Sequence, residues 1–137
     1  MADQIKQVNF YIGEIPNKVG EGAHLLNALK DAGVNLTGFL GYPKSVRKTE
    51  VVIIVDDKAP NLAPIAKKAG VALGKKQKGF LASGEDRPGV GAELMGKLAG
   101  KGINVVSLHA LCGGAGSYGA LLVVVATDFR KAAKVLG

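Results

Sequence analysis

Tryptophan is absent from this chain, aromatic residues amount to 5%, and cysteine occurs once. A single cysteine, Cys112, excludes an internal disulfide framework and suits a reducing cytoplasm, where the protein is expected to reside. The two histidines, His24 and His109, lie far apart in sequence. With no Cys/His cluster at ligand spacing, neither a metal nor a cofactor is expected. No apolar run approaches the roughly 20 residues that cross a bilayer, so no membrane partner is expected. The opening MADQIKQ is polar and has no secretory apolar core.

Lysine and arginine outnumber the acids 18 to 11, for a formal charge of +7. Such an excess can mark an anionic partner. Here Lys44, Arg47 and Lys48 fall in one turn, and Lys67, Lys68, Lys75, Lys76 and Lys78 surround a helix end and a connector. That distribution describes solvated rims rather than a groove, and nucleic acid is not the expected partner. Hydrophobic residues make up 47% of the 137 positions, enough for a packed core. The length suits one ordinary domain or two very small ones.

One stretch invites a cofactor. GAGSYG places Gly114, Gly116 and Gly119 in a literal G-x-G-x-x-G pattern. A dinucleotide fingerprint needs a strand before the glycines and a helix N-terminus after them. The next residues are ALLVVVA, short, apolar and β-branched, which is a strand signal. The glycines therefore read as a hairpin between two strands, and the dinucleotide is set aside.

The chain repeats itself. NKVGEGAHLLNALKDAGVNL (17–36) lies on DRPGVGAELMGKLAGKGINV (86–105) without a gap, at an offset of 69 residues. Gly20, Gly22, Ala23, Leu25, Leu29, Gly33 and Asn35 recur as Gly89, Gly91, Ala92, Leu94, Leu98, Gly102 and Asn104. Keeping glycine and leucine in phase points to a duplicated unit.

Each copy predicts the same elements. A first strand, VNFYI at 8–12 or GFLAS at 79–83, is followed by a turn and an amphipathic helix. Gly33 and Gly102 stop the helices. Second strands, VNLTGFLGY and INVVSLHAL, lead to the apolar third strands VVIIV and ALLVVVA. A last helix carries Leu62, Ile65, Ala66 and Ala69 in copy one, and Phe129, Ala132, Ala133 and Leu136 in copy two. Copy one is expected to add a fourth strand within Val71–Gln77, whereas copy two stops after its second helix. The fold class is α+β: two ferredoxin-like βαββαβ units in tandem, residues 1–77 and 78–137, with antiparallel sheets and helices on one face. The second unit lacks its own C-terminal strand. The open edge this leaves, and third strands apolar at every position, predict strand exchange or a homodimer.

The segment EDRPGVGAELMGKLAGKGIN resembles the ACT domain, a small amino-acid-sensing module of amino-acid metabolism. The family pattern is a D/N-x-P-G turn, a helix, then G-[VI]-N opening the second strand. Here it is Asp86-Arg87-Pro88-Gly89 with Gly102-Ile103-Asn104, and in worn form Asn17-Lys18-Val19-Gly20 with Gly33-Val34-Asn35, where the proline is lost. The resemblance covers nearly the whole chain. It implies a regulatory protein with an amino acid at the interface between ACT domains, one copy's turn facing the other copy's asparagine. The implied ligand-binding residues are Asn17, Gly20, Asn35, Asp86, Arg87, Pro88, Gly89, Val90, Gly91 and Asn104.

The residue types fit that use. A helix N-terminus presents unpaired N–H groups and partial positive charge to a ligand carboxylate. Pro88 loses no needed hydrogen bond there, and Gly89 and Gly91 let a ligand approach the backbone. Asp86 or Asn17 is an acceptor for a ligand ammonium, and Asn104 or Asn35 offers both donor and acceptor. The plainer expectation is that Asn17 or Asp86 caps its helix. His24 reads as a rim residue, Cys112 has no adjacent base, and Tyr11 and Tyr118 read as packing.

Three functions compete. The first is a non-enzymatic, allosteric regulator that hands its output to a separate downstream protein. An enzyme needs a nucleophile or acid/base pair that this chain does not present. An RNA- or protein-interaction module with a degenerate ligand site shares the strand order. Its RNA form needs sheet aromatics that EVVIIV and ALLVVV lack.

Overall fold

β-Branched runs and leucines at helical spacing set out the elements in the expected order. The structure, a computed structural model, describes residues 3–137. Its strands are β1 (Gln4–Pro16), β2 (Gly38–Pro43), β3 (Lys48–Asp56), β4 (Gln77–Glu85), β5 (Val105–Cys112) and β6 (Ser117–Val124). Its helices are α1 (Glu21–Asp31), α2 (Ala63–Lys68), α3 (Val90–Ala99) and α4 (Phe129–Leu136), the last preceded by a 3₁₀ turn at Ala126–Asp128. The chain forms two units: unit one is Asn9–Gln77, and unit two is Lys78–Gly137 together with the chain up to Val8.

In unit one the strands run in the order β2-β3-β1. β2 and β3 are antiparallel, in register from Gly38 opposite Ile54 to Pro43 opposite Thr49. Leu25 and Leu29 of α1, with Leu62 and Ala66 at α2, bury against Tyr11, Ile15, Val51, Ile53 and Val55. The i, i+4 spacing of both helical pairs puts each on a single face.

Unit two repeats this with β4, β6 and β5 in order. Leu94, Leu98, Ala132 and Leu136 of α3 and α4 pack on Phe80, Ala82, Tyr118, Ala120, Leu122 and Val124. The rings of Phe80 and Phe129 stack at 4.4 Å and join β4 to α4.

The repeat holds at atomic detail. Gly20 and Gly89 have φ of 86° and 83°, and Gly33 and Gly102 have 76° and 72°. The Val34 and Ile103 amides donate to the Leu29 and Leu98 carbonyls at 3.0 and 2.9 Å, again 69 residues apart. Gly41 faces Val51 as Ala110 faces Ala120.

Two expectations about strands are corrected. Val71–Gln77 does not form a fourth strand: it contributes one isolated bridge, Gly13 with Leu73, and a 2.8 Å bond from the Gly74 amide to the Ile12 carbonyl. Left-handed Gly70, Gly74 and the exposed Lys75-Lys76 pair give it no alternating apolar face to anchor more. The edge of β4 is not open either. β1 is far longer than VNFYI, it neighbours β4 in the sheet order, and its residues up to Val8 belong to unit two. The start of the chain occupies the place where copy two lacks a strand, which removes the open edge as a reason for self-association.

The third strands are buried on both faces, as their composition implies. Val51 to Val55 and Ala120 to Val124 are all buried, including Val52, Ile54, Leu121 and Val123, which lie outside the helix-facing cores.

Candidate functional site

Each first helix starts the same way, from a glycine in the left-handed region. Gly20 precedes α1, Gly89 precedes α3, and neither helix start has a side-chain cap. The expectation that Asn17 or Asp86 caps its helix is therefore corrected. Both stand three residues before the glycine, and both are directed instead to the hairpin of their own unit. The Asn17 amide N–H donates to the Arg47 carbonyl at 2.9 Å, and its Nδ2 donates to the Val46 carbonyl at 3.1 Å. The Asp86 amide N–H donates to the Gly116 carbonyl at 2.9 Å, the equivalent bond at the 69-residue offset.

This geometry leaves backbone donors at the helix starts. The first bonds within the helices run from His24 to Gly20 and from Glu93 to Gly89, each 2.9 Å. The N–H groups at residues 22, 23, 91 and 92 precede any acceptor in their helices and carry the positive end of the dipole. A Cβ built on Gly22 or Gly91 meets nothing within 4 Å, so packing does not demand glycine there. What glycine provides is an uncovered backbone.

The two turns differ in charge. In unit two, Arg87 is engaged on several sides. Its Nη1 and Nη2 donate to the two Asp3 carboxylate oxygens at 3.1 Å each, Nη1 reaches the Glu85 carbonyl at 3.2 Å, and Nη2 also pairs with Glu93. The Asp3 side chain is 12% exposed and that of Arg87 31%. The guanidinium hydrogen bonds hold the Asp3 carboxyl below its usual pKa, and the two carboxylates hold Arg87 firmly charged. Tyr118 is buried beside them, its hydroxyl pushed up to about 12, first by burial and then by Asp3. It feels the Asp3 charge without a hydrogen bond of standard geometry. A Cβ on Gly84 would collide with the Asp3 carboxylate. In unit one the corresponding residue, Lys18, is exposed, and Lys44 pairs with Glu14.

The Asp3 shift sets a pH dependence. A carboxyl whose folded pKa lies below its unfolded 3.8 adds stability that is complete above 3.8 and lost as pH falls through the folded value. Arg87→Leu should therefore be less stable than the wild type at pH 7, by urea midpoint, with the gap closing in acid. A gap that stays constant down to pH 2 would detach Asp3 from Arg87.

Asn35 and Asn104 are exposed and lie at the far ends of their own units from these turns. Asn104 directly precedes β5, whose first residue, Val105, faces Val124 at the end of β6. The Asp86 turn follows Glu85, which faces Ser117 at the start of β6. Seven strand residues at about 3.3 Å each separate the two ends by roughly 23 Å. Within one unit, turn and asparagine do not share a site.

Cys112 is exposed, and the Asp86 carboxylate beside it raises its pKa through a hydrogen bond, with desolvation adding to this. A raised pKa withholds the thiolate a nucleophile needs. Among the described residues no group of three His, Cys, Asp or Glu stands ready to hold a metal ion. No helix among them is long and apolar enough to cross a membrane. Asp3 and Glu93 are the site residues that sequence reasoning missed.

Two tandem units, each with a glycine-capped helix start and an apolar third strand under paired helices, define an ACT-like α+β fold. Among solved structures, the chain is similar to a protein of Bacteroides thetaiotaomicron, BT0572, with a TM-score of 0.70 at 17% identity over 98% of this chain and 88% of that one. It is also similar to the regulatory subunit of aspartate kinase from Thermus thermophilus in its ligand-free form (TM-score 0.66, 13% identity, 99% and 95% covered). The regulatory subunit from Thermus flavus aligns comparably (0.67, 14%, 99% and 95%). No protein-family model and no curated protein matches the chain.

Proposed function

We propose that this protein is a non-enzymatic regulator that binds a small ligand, an amino acid, at its glycine-capped turns. The observation that carries this is the pair of equivalent helix starts whose backbone donors no side chain caps. A ligand carboxylate supplies what those donors lack. The likeness to regulatory subunits of aspartate kinase supports a regulatory role. The turn from Asp86 to Gly91 keeps the proline and is the favoured site, with Val90 and Gly91 in the first turn of α3. In this reading the protein is cytoplasmic, acts as a homodimer and passes its ligand state to a separate protein.

A thermal-shift screen of the twenty amino acids tests it. Saturation at about 100 times the dissociation constant adds roughly 2.7 kcal/mol. For a chain of this size that raises Tm by roughly 5–10 °C. One or a few amino acids should do so while nucleotides stay silent. Titration calorimetry on Asn35→Ala and Asn104→Ala then identifies the amide that meets the ligand, by a roughly 10- to 150-fold loss of affinity. If no amino acid shifts Tm at millimolar concentration, the ligand reading is wrong.

A further inference from the structure

The duplication supplies an internal control for every surface residue, because a position needed only for the fold should look alike in both copies. One place fails that comparison sharply. In unit two, Lys97 of α3, Lys101 in the turn after it, and Lys134 and Val135 of α4 line an open groove of about 590 Å³. At the same 69-residue offset, unit one has Ala28 and Ala32. In the last helices, matching Phe129, Ala132 and Leu136 with Leu62, Ile65 and Ala69 places Lys67 and Lys68 opposite Lys134 and Val135. The two cations at the end of α3 are therefore particular to unit two, where unit one has alanines.

The fold gains nothing from these lysines. Lys97 in the last turn of α3 and Lys101 in the turn that follows are like charges that line one groove, where they repel. None of the three makes an ion pair among the described residues. Asp3, which feels the field of Lys97, is already held by Arg87. No acidic side chain lines the groove.

We propose that the α3–α4 groove of unit two is a docking surface for an acidic, helical segment of a partner protein. Charge complementarity selects the sign of the partner, since three unpaired cations around one groove raise the local concentration of carboxylates. Size and lining select its kind. Helices of 10 and 8 residues are about 15 and 12 Å long. That length seats a few turns of an amphipathic helix, whose apolar residue meets Val135 while its carboxylates meet the lysines. No aromatic lines the groove, so it offers no platform on which bases would stack. Docking at this groove is independent of which small molecule binds at the turns.

Fluorescence anisotropy with a labelled 18-residue amphipathic helix, glutamate on its polar face and leucine on the other, tests this at about 150 mM salt. The K97A/K101A/K134A variant removes the three cations of the groove and should bind roughly 10-fold more weakly. Lys97→Glu, Lys101→Glu and Lys134→Glu together should weaken binding roughly 30-fold or more. A control with Lys67→Glu, Lys68→Glu and Lys75→Glu makes the same change in net charge and should lose less than about 3-fold. Circular dichroism establishes that each variant is folded, and the alanine variant alone suffices if charge reversal unfolds the chain. Equal losses in groove and control variants would reduce the effect to overall charge and overturn the proposal. So would no binding by the wild type, or tighter, groove-dependent binding of a single-stranded RNA of matched length.

Discussion

Deleting residues 1–7 is expected to uncover the edge of β4, lower the stability of unit two and enlarge the species seen in sedimentation. Ile5 packs partly buried against the core of that unit, and Asp3 holds Arg87 through two hydrogen bonds. Full burial of an isoleucine contributes about 1.5–3 kcal/mol, and the backbone pairing with β4 goes with it. A loss of at least about 2 kcal/mol corresponds to a fall of roughly 8–16 °C in Tm for a unit of this size. The unpaired edge then seeks a strand from another chain, so sedimentation velocity should show larger species than the full-length protein gives. The same size and the same Tm would mean that β1 does not complete unit two.

Leu98→Ala should cost about 2–5 kcal/mol, because truncating a fully buried leucine loses its transfer energy and leaves a cavity. Leu98 and its equivalent Leu29 are 0% and 1% exposed, so Leu29→Ala should cost a similar amount in unit one. Met95, at the edge of the same helix face, is 40% exposed. Met95→Ala should change stability by less than about 1 kcal/mol. Denaturant midpoints at constant m-value decide among these. The comparison bears on function because Leu94 and Leu98 seat α3, and α3 carries the glycine-capped turn at its start. A small cost at Leu98 would mean that this helix is loosely held.

Much of the fold is legible in the sequence because the duplication kept its punctuation. Gly20 and Gly89 have open space around them yet share a left-handed φ, so backbone conformation is what retained them. The third strands declare their two-sided burial through unbroken β-branched runs. Helix capping is misleading in the sequence for a physical reason. A side chain caps from the residue at the helix boundary, and at both starts a glycine occupies that position.

The carboxylate on Arg87 is out of reach of any local pattern. Asp3 lies 84 residues away, at the start of the polar stretch DQIKQ, whose only apolar residue is Ile5. Periodicity reports burial along a strand, not which strand it joins, so VNFYI is legible as a core and the pairing partner of the strand's first half is not. The lysine groove escapes for a related reason. Its cations come from the end of α3, the turn after it and α4, more than 30 residues on, so no consecutive run of lysines marks it.

The long first strand also orders events as the chain is made. Unit one is continuous, from Asn9 to Gln77, and all its parts are present once that point is synthesised. Unit two opens with the first strand and closes with α4, so it cannot be complete before the last helix emerges. At about 5–20 residues per second, the residues before Val8 wait several seconds for a partner. An unpaired strand is most dangerous to its neighbours in such an interval. Gln4, Lys6 and Gln7 are exposed around Ile5, and this polar flank keeps the waiting segment from pairing with the wrong chain.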